Sequence, residues 1–593
     1  MSGVHYQLTL ADLSSKTLLV TMRFQPTHAV HLLQLPAWIP GSYMIRNFAR
    51  HIMQIHAYDK NGVLMLQQLD KQRWQLQCNG EPVTVEYQVY ANDLSVRAAF
   101  VDDEVAVLNP ACLCLEVETL KEHAHQLTLH FDNPDVKRVT KYWRVATALP
   151  RIQGEPLSLD AIYQATNYQH LIDSPLMLGV FTLQQFDLDG VPHYIAVSGQ
   201  NLFDEARLLR DVKTLCQAQR DVFGGLPEDL DQYWFLLWVT ESGYGGLEHQ
   251  FSTLLLCNRF DLPVPALEQQ DEAYHTLLGL FSHEYFHTWW VKRLKPSCFH
   301  PYQLAQEQYS QQLWIYEGFT SYFDDLALVQ AGLISQQQYL TQLEKLITRV
   351  TRNPSEQVQS LTDSSFTAWT KFYLQDENAV NSVVSYYAKG ALVALLLDAQ
   401  LRQHGYDLAL LCRTLYQEYL DTGTADDSIF NLLDKWQLPQ IAEQLRQWVN
   451  QARRLPLESI LPSLGLSLDW RIPQQFDDIC GSNDKIPPAA LGCSLKPQGS
   501  ALLVHQLYHG SAGQKAGLMA GDQLLALAGF KITESSLPQL LRRLPLYSVQ
   551  PLVIFRKDRL LTLSLTLDTA PANVAMLRVS NQNRLNRWLN TAD

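Results

Sequence analysis

Leu278-Gly279-Leu280-Phe281-Ser282-His283-Glu284-Tyr285-Phe286-His287-Thr288-Trp289-Trp290 carries His-Glu-x-x-His at its centre. Leu278, Phe281, Tyr285 and Trp289 recur at helical spacing, so the stretch reads as a helix with one apolar stripe. Residues four apart on a helix share a face. His283 and His287 are therefore placed to hold one metal ion, with Glu284 beside it to act on a water. That spacing is the signature of a zinc hydrolase. The helix is expected to end near Lys292-Arg293-Leu294-Lys295-Pro296, whose cations suit a C-terminus before a proline.

A catalytic zinc keeps three protein ligands, and two acids compete for the third place. Glu307 sits in the polar, loop-like Gln306-Glu307-Gln308-Tyr309. Glu317 lies on an apolar stretch, Gln312 to Leu328, that reads as helix, immediately before Gly318-Phe319-Thr320. A ligand must be held rigidly, and the second setting does that. Glu317 is the expected ligand.

Upstream, residues 1 to about 170 alternate with period two, as in Thr17 to Phe24 and Val83 to Tyr90, with turns such as Lys60-Asn61-Gly62. This predicts an antiparallel β domain. The loop Trp38-Ile39-Pro40-Gly41-Ser42-Tyr43 reads as a packed corner of it. Tyr233 to Thr240 is a continuous apolar run, expected of a strand buried on both faces. It leads through Glu241-Ser242-Gly243-Tyr244 into Gly245-Gly246-Leu247-Glu248-His249, where glycines let the backbone approach something closely. No Gly-Lys-Ser/Thr follows, which removes a phosphate cradle. From Glu317 to about 470 the periodicity is helical, and Pro473 to Pro488 reads as a linker. Short strands and one helix, Leu537 to Leu544, make a small module beyond it.

The 593 residues are too many for one compact core. With 47% hydrophobic and 18% charged residues the chain is a folded globular protein. A net charge of −14 excludes nucleic acid as a partner and supplies no basic patch for a membrane. Nine cysteines without a C-x-x-C pair indicate neither a disulfide framework nor a cysteine zinc site. Cys112 and Cys114 read as one inward and one outward residue of a strand. No secretory leader or apolar run of membrane-spanning length is read, so the expected compartment is the cytoplasm.

His283-Glu284-x-x-His287 with Glu317-Gly318-Phe319-Thr320 resembles the gluzincins, the thermolysin-like metallopeptidases. Gly245-Gly246-Leu247-Glu248-His249 is similar to the exopeptidase loop of that clan, with Leu247 and His249 where the clan has Met and Asn. Tyr387-Ala388-Lys389-Gly390 resembles its Y-x-K-G motif. The long segment between His287 and Glu317, the Trp38–Tyr43 loop and the C-terminal module resemble the glycyl aminopeptidase family with a PDZ domain. The resemblance spans essentially the whole chain. It implies a multidomain α+β protein: an N-terminal β domain (1–172), a thermolysin-like zinc domain (173–390) with a helical part (391–472), a PDZ domain (476–575) and a tail (576–593).

The resemblance also implies roles. One zinc ion is held by His283, His287 and Glu317. Glu284 is the general base, and Tyr387 the oxyanion donor. Gly245, Gly246, Glu248 and His249 bind the substrate, with Glu248 gripping its free α-ammonium. Leu491-Gly492-Cys493-Ser494 is the PDZ loop for a peptide or protein C-terminus. The implied activity is removal of small N-terminal residues, Gly and Ala, from peptides with a free N-terminus. A PDZ scaffold on a dead hydrolase is weakened by the complete residue set, and a zinc endopeptidase by Glu248.

Overall fold

A computed structural model describes residues 3–473, 478, 489–499 and 501–590. The expected linker and Cys480 fall largely outside the described residues. The chain forms two compact units, Met1–Gln308 with Tyr419–Gly423, and Tyr309–Glu418 with Thr424–Asp593.

In the first unit, alternation becomes a sheet with one buried face. Val83–Tyr90 alternates buried residues with half-buried ones and ends on the exposed Tyr90. It belongs to an eight-stranded sheet that also holds Val4–Asp12, Thr17–Phe24 and Ile52–Asp59. Asp59 fixes the Lys60-Asn61-Gly62 turn by accepting the amides of Asn61 (2.6 Å) and Gly62 (3.1 Å). One pairing departs from the antiparallel expectation: Val4–Asp12 runs parallel to His125–His130. Those strands are distant in sequence, so no hairpin dictates their direction. Cys112 and Cys114 also differ from the reading, since Cys112 lies in the helical turn Pro110–Leu113, started by the Asn109 cap and Pro110, and both thiols are buried.

A mixed five-stranded sheet follows, in the order Phe181–Leu188, Val191–Ser198, Tyr233–Thr240, Ser252–Asn258, Gly245–Glu248. Every residue of Tyr233–Thr240 is buried, with parallel neighbours on both sides. Gly245–Glu248 is the antiparallel edge strand. The core runs unbroken from the N-terminal strands to Trp234, Leu236, Trp238, Leu247 and Leu254, so apolar packing is continuous across residue 172.

The second unit is helical from Leu313 to Leu464. Its next strand, Leu466–Arg471, pairs antiparallel with Val574–Val579, and Arg471 stands opposite Val574. Between them lies a separate core formed by residues such as Leu502, Val504, Leu524, Leu537 and Ile554. The stretch after 576, read as a polar tail, forms the end of that strand and the helix Gln582–Leu589. Trp588 is buried and donates to the Tyr322 hydroxyl at 3.0 Å. No described helix is long and apolar enough to cross a membrane.

Candidate active site

The histidine helix spans Glu272–Phe286. Asp271 caps it by accepting the Tyr274 amide at 3.0 Å. Its apolar face rests on Tyr233–Thr240, with Phe281 5.2 Å from Phe235 and Tyr285 edge-on to Tyr233 at 5.0 Å between ring centroids. Two buried hydrogen bonds fix its rotation. Gln219 Nε2 donates to Ser282 Oγ at 2.7 Å, and the Tyr285 hydroxyl lies 2.8 Å from His193 Nε2. Burial pulls the His193 pKa down to about 4. The neutral ring has Nδ1 at 2.9 Å from the Val191 carbonyl, so Nδ1 carries the proton and Nε2 accepts from Tyr285.

That rotation leaves His283 half-buried and His287 buried, with ring centroids 4.7 Å apart at 88°. The helix stops earlier than expected: His287 is its C-cap and the chain turns before Lys292. Thr288 and Trp289 close on Tyr285 and Phe286 by shorter-range bonds, and Val291 takes a positive φ of 77°. Arg293 then secures the turn, donating to the Thr288 carbonyl (2.7 Å) and pairing with Asp229 (2.7 Å).

The edge strand passes over the base. A Cβ on Gly246 would stand 2.2 Å from Glu284 Oε1, so only glycine leaves that carboxylate its place. Glu248 is buried, and its Oε1 has no hydrogen-bond partner among the described residues. Gly41 comes against it: its φ is +91°, and a Cβ there would lie 2.3 Å from Glu248 Oε1. The Trp38–Tyr43 loop, read as a packed corner, is thus a wall around Glu248. Trp38 holds it through bonds to the Gln303 (3.1 Å) and Gln306 (2.7 Å) carbonyls. The signal available in the sequence was a Pro-Gly turn inside an aromatic cluster, which names no contact 200 residues away.

His249 turns to Asp173, with Nδ1 at 3.0 Å from Oδ1. Asp173 also accepts Lys292 Nζ at 2.7 Å and the Gln250 amide at 2.9 Å. Burial alone would raise this carboxyl's pKa. The Lys292 ammonium and the His249 bond outweigh burial and hold it well below the usual carboxylate range. Asp173 thereby ties down the turn after Glu248, a role no local pattern announces.

In the second unit, Glu317 is buried at the junction of Leu313–Tyr316 and Gly318–Gln330, two helical segments where one was expected. The backbone still bonds through the junction, Glu317 amide to Leu313 carbonyl at 2.8 Å and Ser321 amide to Glu317 carbonyl at 2.9 Å. A Cβ on Gly318 would lie 2.6 Å from the Gly390 Cα, and one on Gly390 2.8 Å from the Gly318 Cα. The glycines of the two motifs therefore pack backbone to backbone. Tyr387 opens the helix Tyr386–Arg402, capped by Ser385, and stacks on Phe372 at 5.6 Å. Burial and then the Glu317 carboxylate raise its pKa well above the usual value, so the phenol keeps its proton. Buried Lys389 anchors the same turn by donating to the Arg453 carbonyl at 2.8 Å and facing Glu356 at 3.6 Å.

His283, His287 and Glu317 each offer one ligand atom, and these atoms all lie within 4.8 Å of one another. Two imidazoles and one carboxylate are the donor set of a hydrolytic zinc. Glu307 is half-buried and outside this group. In the C-terminal module, Leu491, Gly492 and Cys493 line a cavity of about 570 Å³. The Leu491 carbonyl is taken by the Gly513 amide (2.8 Å) and that of Gly492 by the Tyr508 amide (3.0 Å). Ser494 Oγ bonds Gln506 at 3.3 Å.

Residues 5–180 match the family model of the peptidase M61 N-terminal domain, and residues 276–393 that of M61 glycyl aminopeptidase. The crystal structure of an aminopeptidase N family protein from Idiomarina loihiensis is 38% identical over 99% of this chain and 100% of that one, with a TM-score of 0.95. The chain belongs to the M61 peptidase family. An M1 zinc metallopeptidase from Deinococcus radiodurans is 12% identical over 77% of this chain and 94% of that one, with a TM-score of 0.45, too distant to carry residue roles across. No curated protein matches the sequence.

Proposed function

We propose that this chain is a zinc-dependent aminopeptidase that hydrolyses the N-terminal peptide bond of peptides and prefers small first residues, Gly and Ala. The observation that carries this reading is the approach of the His283, His287 and Glu317 ligand atoms to within 4.8 Å of one another. These three residues would hold the ion, which would supply polarisation of the scissile carbonyl and a bound water of near-neutral pKa. Glu284 takes the proton of the attacking water and passes it to the leaving amine. Tyr387 donates to the developing oxyanion, and its raised pKa supports that role. Glu248 receives the substrate's α-ammonium, charged at neutral pH because its pKa is about 8. Gly245 and Gly246 let the substrate backbone lie close along the edge strand, and His249 steadies that strand through Asp173.

The segment around 489–570 is proposed as a PDZ domain whose Leu491-Gly492-Cys493-Ser494 loop takes a peptide or protein C-terminus. The cavity beside that loop supports this. Metal analysis tests the core of the proposal. The purified protein should carry one zinc per chain, and Glu317→Ala should lose it. Full zinc retention by Glu317→Ala would remove Glu317 as a ligand.

A further inference from the structure

We propose that the cavity of about 380 Å³ bounded by Lys292, Lys295, Tyr302, Asn167 and His170 is a binding site for a small oxyanion, a carboxylate or a phosphate group. The inference is independent of the peptidase reading. Two ammonium groups line this cavity, and one carboxylate, Asp173, faces them. That carboxylate is already committed: it accepts Lys292 Nζ at 2.7 Å, His249 Nδ1 at 3.0 Å and the Gln250 amide at 2.9 Å. Lys292 is thus neutralised. Lys295 is not, and among the described residues no carboxylate lies within ion-pair distance of it. Its ammonium stands over the Tyr302 ring, 4.6 Å from Nζ to the centroid.

Burial, and then the neighbouring Lys292 ammonium, pull the Lys295 pKa down to about 8. At neutral pH the group is still mostly a cation, held beside another cation and partly withdrawn from water, a state that an anion relieves. The remaining walls supply donors. Asn167 Oδ1 is used by the His170 amide at 2.8 Å, which leaves its side-chain NH₂ to donate. His170 Nδ1 accepts the Thr166 amide at 3.3 Å, and burial lowers its pKa, so the neutral ring carries its proton on Nε2. An oxyanion of acetate or phosphate size finds one cation without a carboxylate partner, Lys295, and two N–H groups among the lining residues, within a volume that admits it.

The test labels the full chain at pH 7.5 with an amine-acylating ester, with and without inorganic phosphate or acetate at constant ionic strength, and reads Lys295 by peptide mass spectrometry. Saturable protection of Lys295, about tenfold at the highest anion concentration, is expected, with exposed lysines such as Lys60 unaffected. Calorimetry should show that Lys295→Met weakens binding of the preferred anion about tenfold or more, while Lys295→Arg retains it. Tighter phosphate assigns the site to phosphate groups, and tighter acetate to the carboxylate end of a peptide or amino acid. Absence of saturable protection by both anions, or unchanged binding by Lys295→Met, would overturn the proposal.

Discussion

Gly246 and Gly41 matter for the atom they lack. Each leaves room for a carboxylate, Glu284 in one case and Glu248 in the other, and a Cβ would stand 2.2 or 2.3 Å from its Oε1, far inside contact distance. Gly246→Ala should therefore fold normally and keep its zinc, yet lose roughly 10²-fold in kcat because the base is displaced. Glu284→Gln should also keep zinc and lose about 10²–10⁴-fold in kcat. Unchanged kcat in either variant would contradict the role given to Glu284. Asp173 gives a pH prediction. Its folded pKa lies below the unfolded value, so its contribution to stability is fully present above about pH 4 and is lost as pH falls through the folded value. Thermal melts of Asp173→Asn should accordingly show a shallower loss of stability below pH 4 than the parent. The metal and base residues were legible because a four-residue spacing is local. Gly41 and Asp173 were not, since their partners lie in distant strands and turns that no period connects.

At the scale of elements, helix existence was legible and helix ends were not. The stripe Leu278, Phe281, Tyr285 identified the histidine helix, but the stop at Phe286 depends on Arg293 bonding back to the Thr288 carbonyl. Likewise the junction at Glu317 lies beside the Gly318–Gly390 contact, which joins residues 72 positions apart. That contact is between backbones, so it has nothing flexible to yield. Gly390→Ala should cost about 1–3 kcal/mol through overpacking and should weaken zinc retention by shifting Glu317. A melting temperature and zinc content equal to the parent's would show that the two helices do not rely on this contact.

At the scale of the molecule, the pairing of Leu466–Arg471 with Val574–Val579 makes the C-terminal module an insertion into a hairpin. Composition marked a separate module but did not show that the chain returns, through the helix Gln582–Leu589, to the helical core it had left. Replacing residues 472–573 by Asn-Gly, the two-residue turn that suits adjacent antiparallel strands, should leave a folded protein. Arg471→Thr would accompany it, because the Arg471 guanidinium loses its partner Asp478. Retained cleavage of short peptides by this variant is expected, and failure to fold would show that the module belongs to the core. The central claim is that a free amine, held by Glu248, positions the bond to be cut. Its most direct measurement compares hydrolysis of a glycyl anilide with that of its N-acetylated twin by the zinc-loaded protein. Cleavage of the free amine at least about 10²-fold faster, with the difference abolished in Glu248→Ala, is the predicted result; equal cleavage of the two by the parent protein would contradict it.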